Sequence, residues 1–256
     1  MARTTLGQPQ ARPQPAARLG SAANVAESAI PALPLAAAKP IVVCATATVL
    51  LLGVARELVI ARIGTGTWLK DLRPISLDSE HCLAAWYESS LMLAAAVLLF
   101  VIGSGERRRR DRRHHWLALA LLFVALSIDE SVSLHEVLIE PLRGALGTGG
   151  FLYFAWVLPG SLVVLVCGLA FVPFLLSLPR PLAARIAAGG ALFVGGALGM
   201  ELVGGYLVAT QGWRSTGYIA AAIVEEGLEL IGLTVFFNAL VDHLLAGRQY
   251  RLLSAG

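Results

Sequence analysis

The sequence contains few charged residues for its length. Only 14% of its 256 residues are Asp, Glu, Lys or Arg, whereas 57% are hydrophobic. Its mean hydropathy of +0.72 lies far above that of a soluble domain of this size. Long apolar runs of this kind are typical of membrane-spanning segments. The scarcity of charge therefore excludes an ordinary soluble protein.

Cysteine is also scarce, and the motifs of several enzyme classes are missing. Cys44, Cys82 and Cys167 are far apart and form no Cys-x-x-Cys pair, so no disulfide framework is predicted. The sequence has no Gly-x-Ser-x-Gly and no His-Glu-x-x-His motif. It also lacks the Glu-x-x-His pair of ferritin-like di-iron bundles and the histidine-rich boxes of membrane desaturases.

Six apolar segments are long enough to cross a bilayer, which needs about 20 residues per helix. The sequence therefore predicts an all-α integral membrane protein with a six-helix transmembrane domain over residues 39–247. A Pro- and Ala-rich tail, 1–38, is predicted to be disordered, and a short tail follows at 248–256. The predicted spans are 41–62, 83–103, 116–138, 152–177, 184–208 and 217–245.

The distribution of Lys and Arg indicates the orientation. The stretch ERRRRDRRHH, 106–115, carries six arginines between the second and third spans, which favours the cytoplasmic side. This choice places both termini in the cytoplasm and predicts a multi-pass protein of the plasma (inner) membrane. The clumped positive charge is interpreted as an orientation signal. A nucleic-acid partner is not predicted, although binding of this run to nucleic acid or anionic lipid is an alternative.

Acidic residues interrupt these apolar segments at a similar depth, in the outer half of the bilayer. Each charge at the bilayer centre costs about 2.5–3.5 kcal/mol, and Arg56 is the one arginine placed at a similar depth to the acids. The acids must therefore be protonated, hydrated in a pocket or neutralised by cations. They are Glu57, Glu88, Asp129, Glu130, Glu136, Glu201, Glu225, Glu226 and Glu229.

Helical spacing groups some of these acids into stripes. Asp129 and Glu136 are seven residues apart, which predicts that they share one face of the third span. Glu225, Glu226 and Glu229 fit a single stripe on the sixth span. Two acidic stripes are what the facing sides of a polar cavity would present. Helix capping at the headgroups is an equally good interpretation of Glu136 and its neighbour His135, and Glu201 could be a lone structural acid.

Other polar and small residues receive structural interpretations. Arg56 and Glu57 are adjacent, so we expect their side chains to point apart and to pair with other neighbours. Gly195 and Gly199 have small-xxx-small spacing, which predicts close helix packing. His81 is expected in an extracytoplasmic loop, although an early helix start would bring it onto the face of Glu88 two turns away.

The first of three functional hypotheses is a metal-dependent membrane enzyme, a hydrolase or an oxidoreductase, acting on a membrane lipid or lipid-linked group. Carboxylates with imidazole suit a divalent metal such as iron, manganese or zinc. Glu130 and His135 are the predicted catalytic residues. The predicted metal ligands are Glu88, Asp129, Glu136, Glu201, Glu225, Glu226 and Glu229.

The second hypothesis is a proton- or cation-coupled transporter, since intramembrane Asp, Glu and His chains are typical of proton relays. The scarcity of acids in the inner half of the bundle counts against it. The third is a non-catalytic membrane subunit or sensor whose polar cluster binds an ion or a partner protein.

Overall fold

The computed structural model describes residues 32–63, 68–79, 81–106, 110–213 and 215–254, and the regular elements in these ranges are helical. Short 3₁₀ segments lie at Trp68–Ile75, Glu136–Leu138 and Gly150–Leu152, and a π-helix lies at Gly195–Met200. The α-helices are α1 (Ala32–Ile63), α2 (Leu83–Gly105), α3 (Arg110–Val132), α4 (Ile139–Leu146), α5 (Val157–Ser177), α6 (Arg180–Val194), α7 (Glu201–Gln211) and α8 (Thr216–Ser254).

Five of the described helices are long and apolar enough to cross a membrane. They are Leu35–Arg62, Leu83–Gly105, Arg112–Val132, Val157–Ser177 and Arg180–Gln211. Helix α8 corresponds to the sixth predicted span and contacts α1, α2, α6 and α7. Its residues Leu230, Leu240 and Val241 are completely buried. The described part of the protein is therefore all-helical, and several of its helices that pack around α8 could span a membrane by their length and composition.

The helical region extends beyond the predicted transmembrane domain at both ends. Most of the predicted disordered tail, 1–31, lies outside the described residues, but α1 already begins at Ala32. The Ala-rich stretch before Lys39 explains this early start, because Ala has the highest helix propensity. At the other end, α8 continues to Ser254, beyond residue 247, where the predicted transmembrane domain ends.

Helix α3 ends at Val132, six residues before the predicted end of the third span. Ser133 has a φ of 51°, which is incompatible with a continuing right-handed helix. The Asp129 carboxylate accepts the backbone N–H of His135 at 2.9 Å and stabilises the turn. The prediction that Asp129 and Glu136 share a helical face is therefore wrong, because Glu136 lies after the turn.

The fifth predicted span is a continuous helical rod with the π-helix at its centre. It packs closely on α8: a methyl group added at Gly232 would lie 2.6 Å from the carbonyl oxygen of Gly189. A methyl group added at Gly196 would lie 2.6 Å from Glu229 Cγ. The predicted packing glycines, Gly195 and Gly199, have no described atom within 4 Å of the same position. Close packing by the glycines of this span is thus confirmed at Gly189 and Gly196, two turns apart, and the prediction is wrong for the Gly195–Gly199 pair.

Arg56 and Glu57 on α1 pair with each other, so the prediction that their side chains point apart is wrong. Arg56 Nη1 donates to both carboxylate oxygens of Glu57, each at 2.8 Å. Ser76 Oγ donates to Glu57 Oε1 at 2.8 Å, and the backbone N–H of Leu77 donates to the same oxygen at 3.3 Å. The buried Glu57 thus holds the loop before α2 against α1.

Polar side chains also occur in the half of the bundle away from the acids. Thr46 Oγ1 of α1 lies 2.7 Å from Thr234 Oγ1 of α8 and 2.9 Å from the hydroxyl of Tyr87. One turn further along α8 lies the buried Asn238, and Asp242 follows after one more turn. Thr46, Thr234 and Asn238 in this line were missed because sequence reasoning counted only ionisable groups.

Candidate acidic cavity

A cavity of about 920 Å³ lies among α2, α3, α5, the π-helix and α8, and the loop before α2 and the segment between α3 and α5 also line it. Eight of the nine predicted site residues line it: Asp129, Glu130, His135, Glu136, Glu201, Glu225, Glu226 and Glu229. The ninth, Glu88, is only 1% exposed and lies within hydrogen-bonding range of Glu229. Residues from four parts of the chain that are distant in sequence therefore meet at one place.

His135 and Asp129 form a tight pair at the end of α3. His135 Nδ1 lies 2.9 Å from Asp129 Oδ2, and its backbone N–H donates to Asp129 Oδ1. Burial alone lowers the pKa of His135, but the hydrogen bond and negative charge of Asp129 outweigh it. The net pKa lies above the ordinary histidine value, and Glu136 and Glu130 contribute to this increase. Because Asp129 engages Nδ1, Nε2 is the ring nitrogen left for a substrate.

Trp156 and Glu201 continue the polar lining beyond the histidine. The indole ring of Trp156 lies with its centroid 4.6 Å from that of His135. Its Nε1–H donates to Glu201 Oε1 at 2.7 Å. The Glu201 carboxyl also lies within hydrogen-bonding range of the Glu225 carboxyl on α8. Since an ionised carboxylate only accepts hydrogen bonds, such a contact requires a proton on one of the two groups.

The deepest part of the cluster contains more acceptors than donors. Glu88 and Glu229 form a second carboxyl–carboxyl contact, and Glu226 and Glu130 lie close enough to influence Glu88 and Glu229 electrostatically. The Oε1 atom of Glu88 is buried and has no hydrogen-bond partner among the described residues. Buried polar atoms without a partner are unusual and costly, so this oxygen indicates a place where a donor is needed.

The structure adds residues that sequence reasoning left out. Tyr218 donates its hydroxyl hydrogen to Asp78 Oδ1 at 2.8 Å, and both residues line the cavity. Asp78 is exposed as a residue, but enclosure of its carboxyl group raises the pKa of that group to about 6. His81, expected in a loop, does lie in one and also lines the cavity. Asp78 could have been found from the sequence, because it comes just before α2 on the same predicted side of the membrane as the acids.

The donor set suits a divalent cation chemically, but its arrangement does not converge on one point. No group of three or more His, Cys, Asp or Glu side chains in the described ranges is arranged to hold a metal ion. The carboxyl groups contact one another or are engaged by His135, Trp156 and Tyr218. The predicted iron, manganese or zinc site thus finds no support in this geometry and stays a prediction.

One side of the cavity is apolar and faces a loosely packed helix. In α5 only 6% of the most apolar window is buried within the protein, so most of this helix is available to lipid. It contributes Pro159, Gly160, Val163 and Val164 to the cavity, and the neighbouring α6 contributes Phe193 and Val194. The site therefore combines an acidic end with an apolar side next to lipid-facing helices.

Comparisons with curated proteins gave no match, and comparisons with solved structures gave none either. A family model described as a domain of unknown function, DUF8692, matches residues 41–244. This range takes in all nine predicted site residues and the whole lining of the cavity. The chain therefore belongs to the DUF8692 family.

Proposed function

We propose that this protein is a membrane enzyme that uses acid–base chemistry to hydrolyse a lipid or lipid-linked substrate. The observation that carries the proposal is the His135–Asp129 pair, held by two hydrogen bonds at a cavity with both an acidic end and an apolar side. We further propose the six-span topology, with both termini in the cytoplasm and the cavity in the outer half of the plasma membrane.

In this mechanism His135 is the general base. Asp129 fixes the ring and favours the imidazolium that forms when Nε2 takes a proton from water. The hydroxide that forms attacks the substrate atom whose bond to the leaving group breaks. Glu130 adds negative charge beside the ring and supports the same protonated state.

The carboxyl pair of Glu201 and Glu225 supplies the acid. One proton is shared between the two groups, and the Trp156 N–H holds Glu201 in place. Donation of this proton to the leaving group completes the hydrolysis. The proton that His135 took from water then passes to the carboxyl pair, which restores both groups. A general base and a proton donor held in one cavity are typical of acid–base enzymes.

The test is turnover of membrane lipids by the purified protein. Protein in proteoliposomes made from total lipid extract is incubated, and lipid species are compared by mass spectrometry. We expect His135→Gln to lower turnover by about 100-fold or more, as for loss of a general base. His114→Gln, an exposed histidine on α3, is the matched control. Equal turnover in the His135 variant and the wild type would refute the proposal, and the metal content of the same samples tests the metal prediction.

Proton-coupled transport is the second candidate, because the polar line of Thr46, Thr234, Asn238 and Asp242 extends away from the acids. Against it, the completely buried Leu230 and the buried Leu233 lie between Glu229, the last acid of the cluster, and Thr234 on α8. A pH-sensitive dye inside the same proteoliposomes separates the two functions. Acidification of the vesicle interior that depends on Thr234, without any change in lipid composition, would favour transport.

A further inference from the structure

The ionisable residues that line the cavity are strongly unbalanced in charge. One arginine, Arg73, and two histidines, His81 and His135, stand against the carboxylic acids. Ionised acids would repel an anionic head such as a phosphate, whereas a nearby cation would stabilise their ionised form. The acids that line the cavity are Asp78, Asp129, Glu130, Glu136, Glu201, Glu225, Glu226 and Glu229.

The deep carboxyl groups need hydrogen-bond donors as well as positive charge. Glu88 Oε1 is buried without a partner in the described part of the chain, and the same carboxyl contacts Glu229. A protonated amine has a positive charge and up to three N–H donors that can point in different directions. A metal ion requires ligands that converge on one point. A protonated amine does not, and it therefore suits the carboxyl groups of this cavity.

Aromatic rings line the same cavity as these acids. Phe154, Trp156, Trp213 and Tyr218 line the cavity, and the rings of Trp213 and Tyr218 pack edge to face at 5.3 Å. Aromatic faces attract ammonium groups. The ring arrangement therefore favours the same ligand charge as the acids do.

The apolar side of the cavity indicates what the amine is attached to. Val163, Val164, Phe193 and Val194 line the cavity, and most of α5 is not covered by protein. A hydrocarbon chain in this position would remain next to the bilayer while its head reached the acids. We infer that the substrate is a long-chain amine: a lipid with a protonated amino group and no phosphate. This inference rests on the proposed lipid-acting site.

The test measures binding of three single-chain probes to the protein in nanodiscs. A dodecyl amine is compared with dodecanol, which has the same chain but no charge, and with butylamine, which has the charge but a short chain. The inference predicts that the dodecyl amine binds at least about tenfold more tightly than dodecanol, because only the amine forms charge-assisted hydrogen bonds. It should also bind at least about tenfold more tightly than butylamine, because only the long chain buries a large apolar surface. Equal binding of amine and alcohol would overturn it, and butylamine binding as well as the long-chain amine would indicate a soluble amine ligand.

Variants locate the binding site and separate this inference from the proposed function. Glu225→Gln/Glu229→Gln, or Glu225→Gln alone, should weaken binding of dodecyl amine about tenfold or more. Glu140→Gln, an acid whose side chain is 76% exposed, is the control and should bind normally. His135→Gln should bind the amine but not turn over lipid. Undiminished binding in both Glu225 variants would contradict the inference, whereas turnover of a different, uncharged lipid would leave the proposed function intact.

Discussion

Asp78 shows how a single residue couples the loop before α2 to the cavity. Its carboxylate accepts the Tyr218 hydroxyl, and the neighbouring Ser76 and Leu77 bind Glu57 of α1. The loop is thus attached at two points, to α1 and to α8. Sequence reasoning missed both attachments because each joins residues that are distant along the chain and have no shared periodicity.

The pKa of Asp78 leads to a pH-dependent stability. Enclosure raises this pKa from 3.8 to about 6, so the folded protein holds the proton more tightly than the unfolded chain. The stabilisation is fully present below the unfolded pKa and is lost as the pH rises through about 6. We expect the melting temperature of the wild type in detergent to fall between pH 4 and pH 7 by more than that of Asp78→Asn. The same pH dependence in both proteins would contradict this assignment.

At the scale of elements, the helices themselves were predictable and their ends were not. Apolar length predicted α2 to within two residues of its observed bounds. The end of α3 depends on the backbone of Ser133 and on a hydrogen bond from His135 to Asp129. Such a local turn competes with helix continuation without altering hydrophobicity, so the hydropathy pattern does not record it.

The contact between the π-helix and α8 leads to a matched pair of glycine substitutions. A methyl group at Gly196 would lie 2.6 Å from Glu229 Cγ and 2.8 Å from the carbonyl oxygen of Glu225. We expect Gly196→Ala to destabilise the protein by about 1–3 kcal/mol, as overpacking does, and to lower lipid turnover by displacing both acids. Gly195→Ala has open space and should be close to neutral. Thermal unfolding of the two variants makes the comparison, and equal destabilisation would show that close packing at Gly196 is not the cause.

For the molecule as a whole, charge and hydropathy together predicted the most about the site. Acids at a similar depth on separate helices were expected to meet, and eight of the nine predicted residues line one cavity. Their partners were not predictable, because Trp156 and Tyr218 carry no signal that distinguishes them from ordinary aromatic residues at a membrane interface. The apolar side of the cavity could not be predicted either, because the sequence does not distinguish its valines from lipid-facing residues.

The central claim is that protonated carboxyl groups lie inside the membrane, in a cavity that lipids can reach. Dicyclohexylcarbodiimide tests this directly, because it partitions into bilayers and reacts with protonated carboxyl groups. After treatment of intact membranes and digestion, mass spectrometry should find the label on the α8 peptide that contains Glu225, Glu226 and Glu229. A long-chain amine should reduce this labelling, and the exposed Glu140 should remain unlabelled. Labelling of Glu140 with none on the α8 peptide would contradict the account.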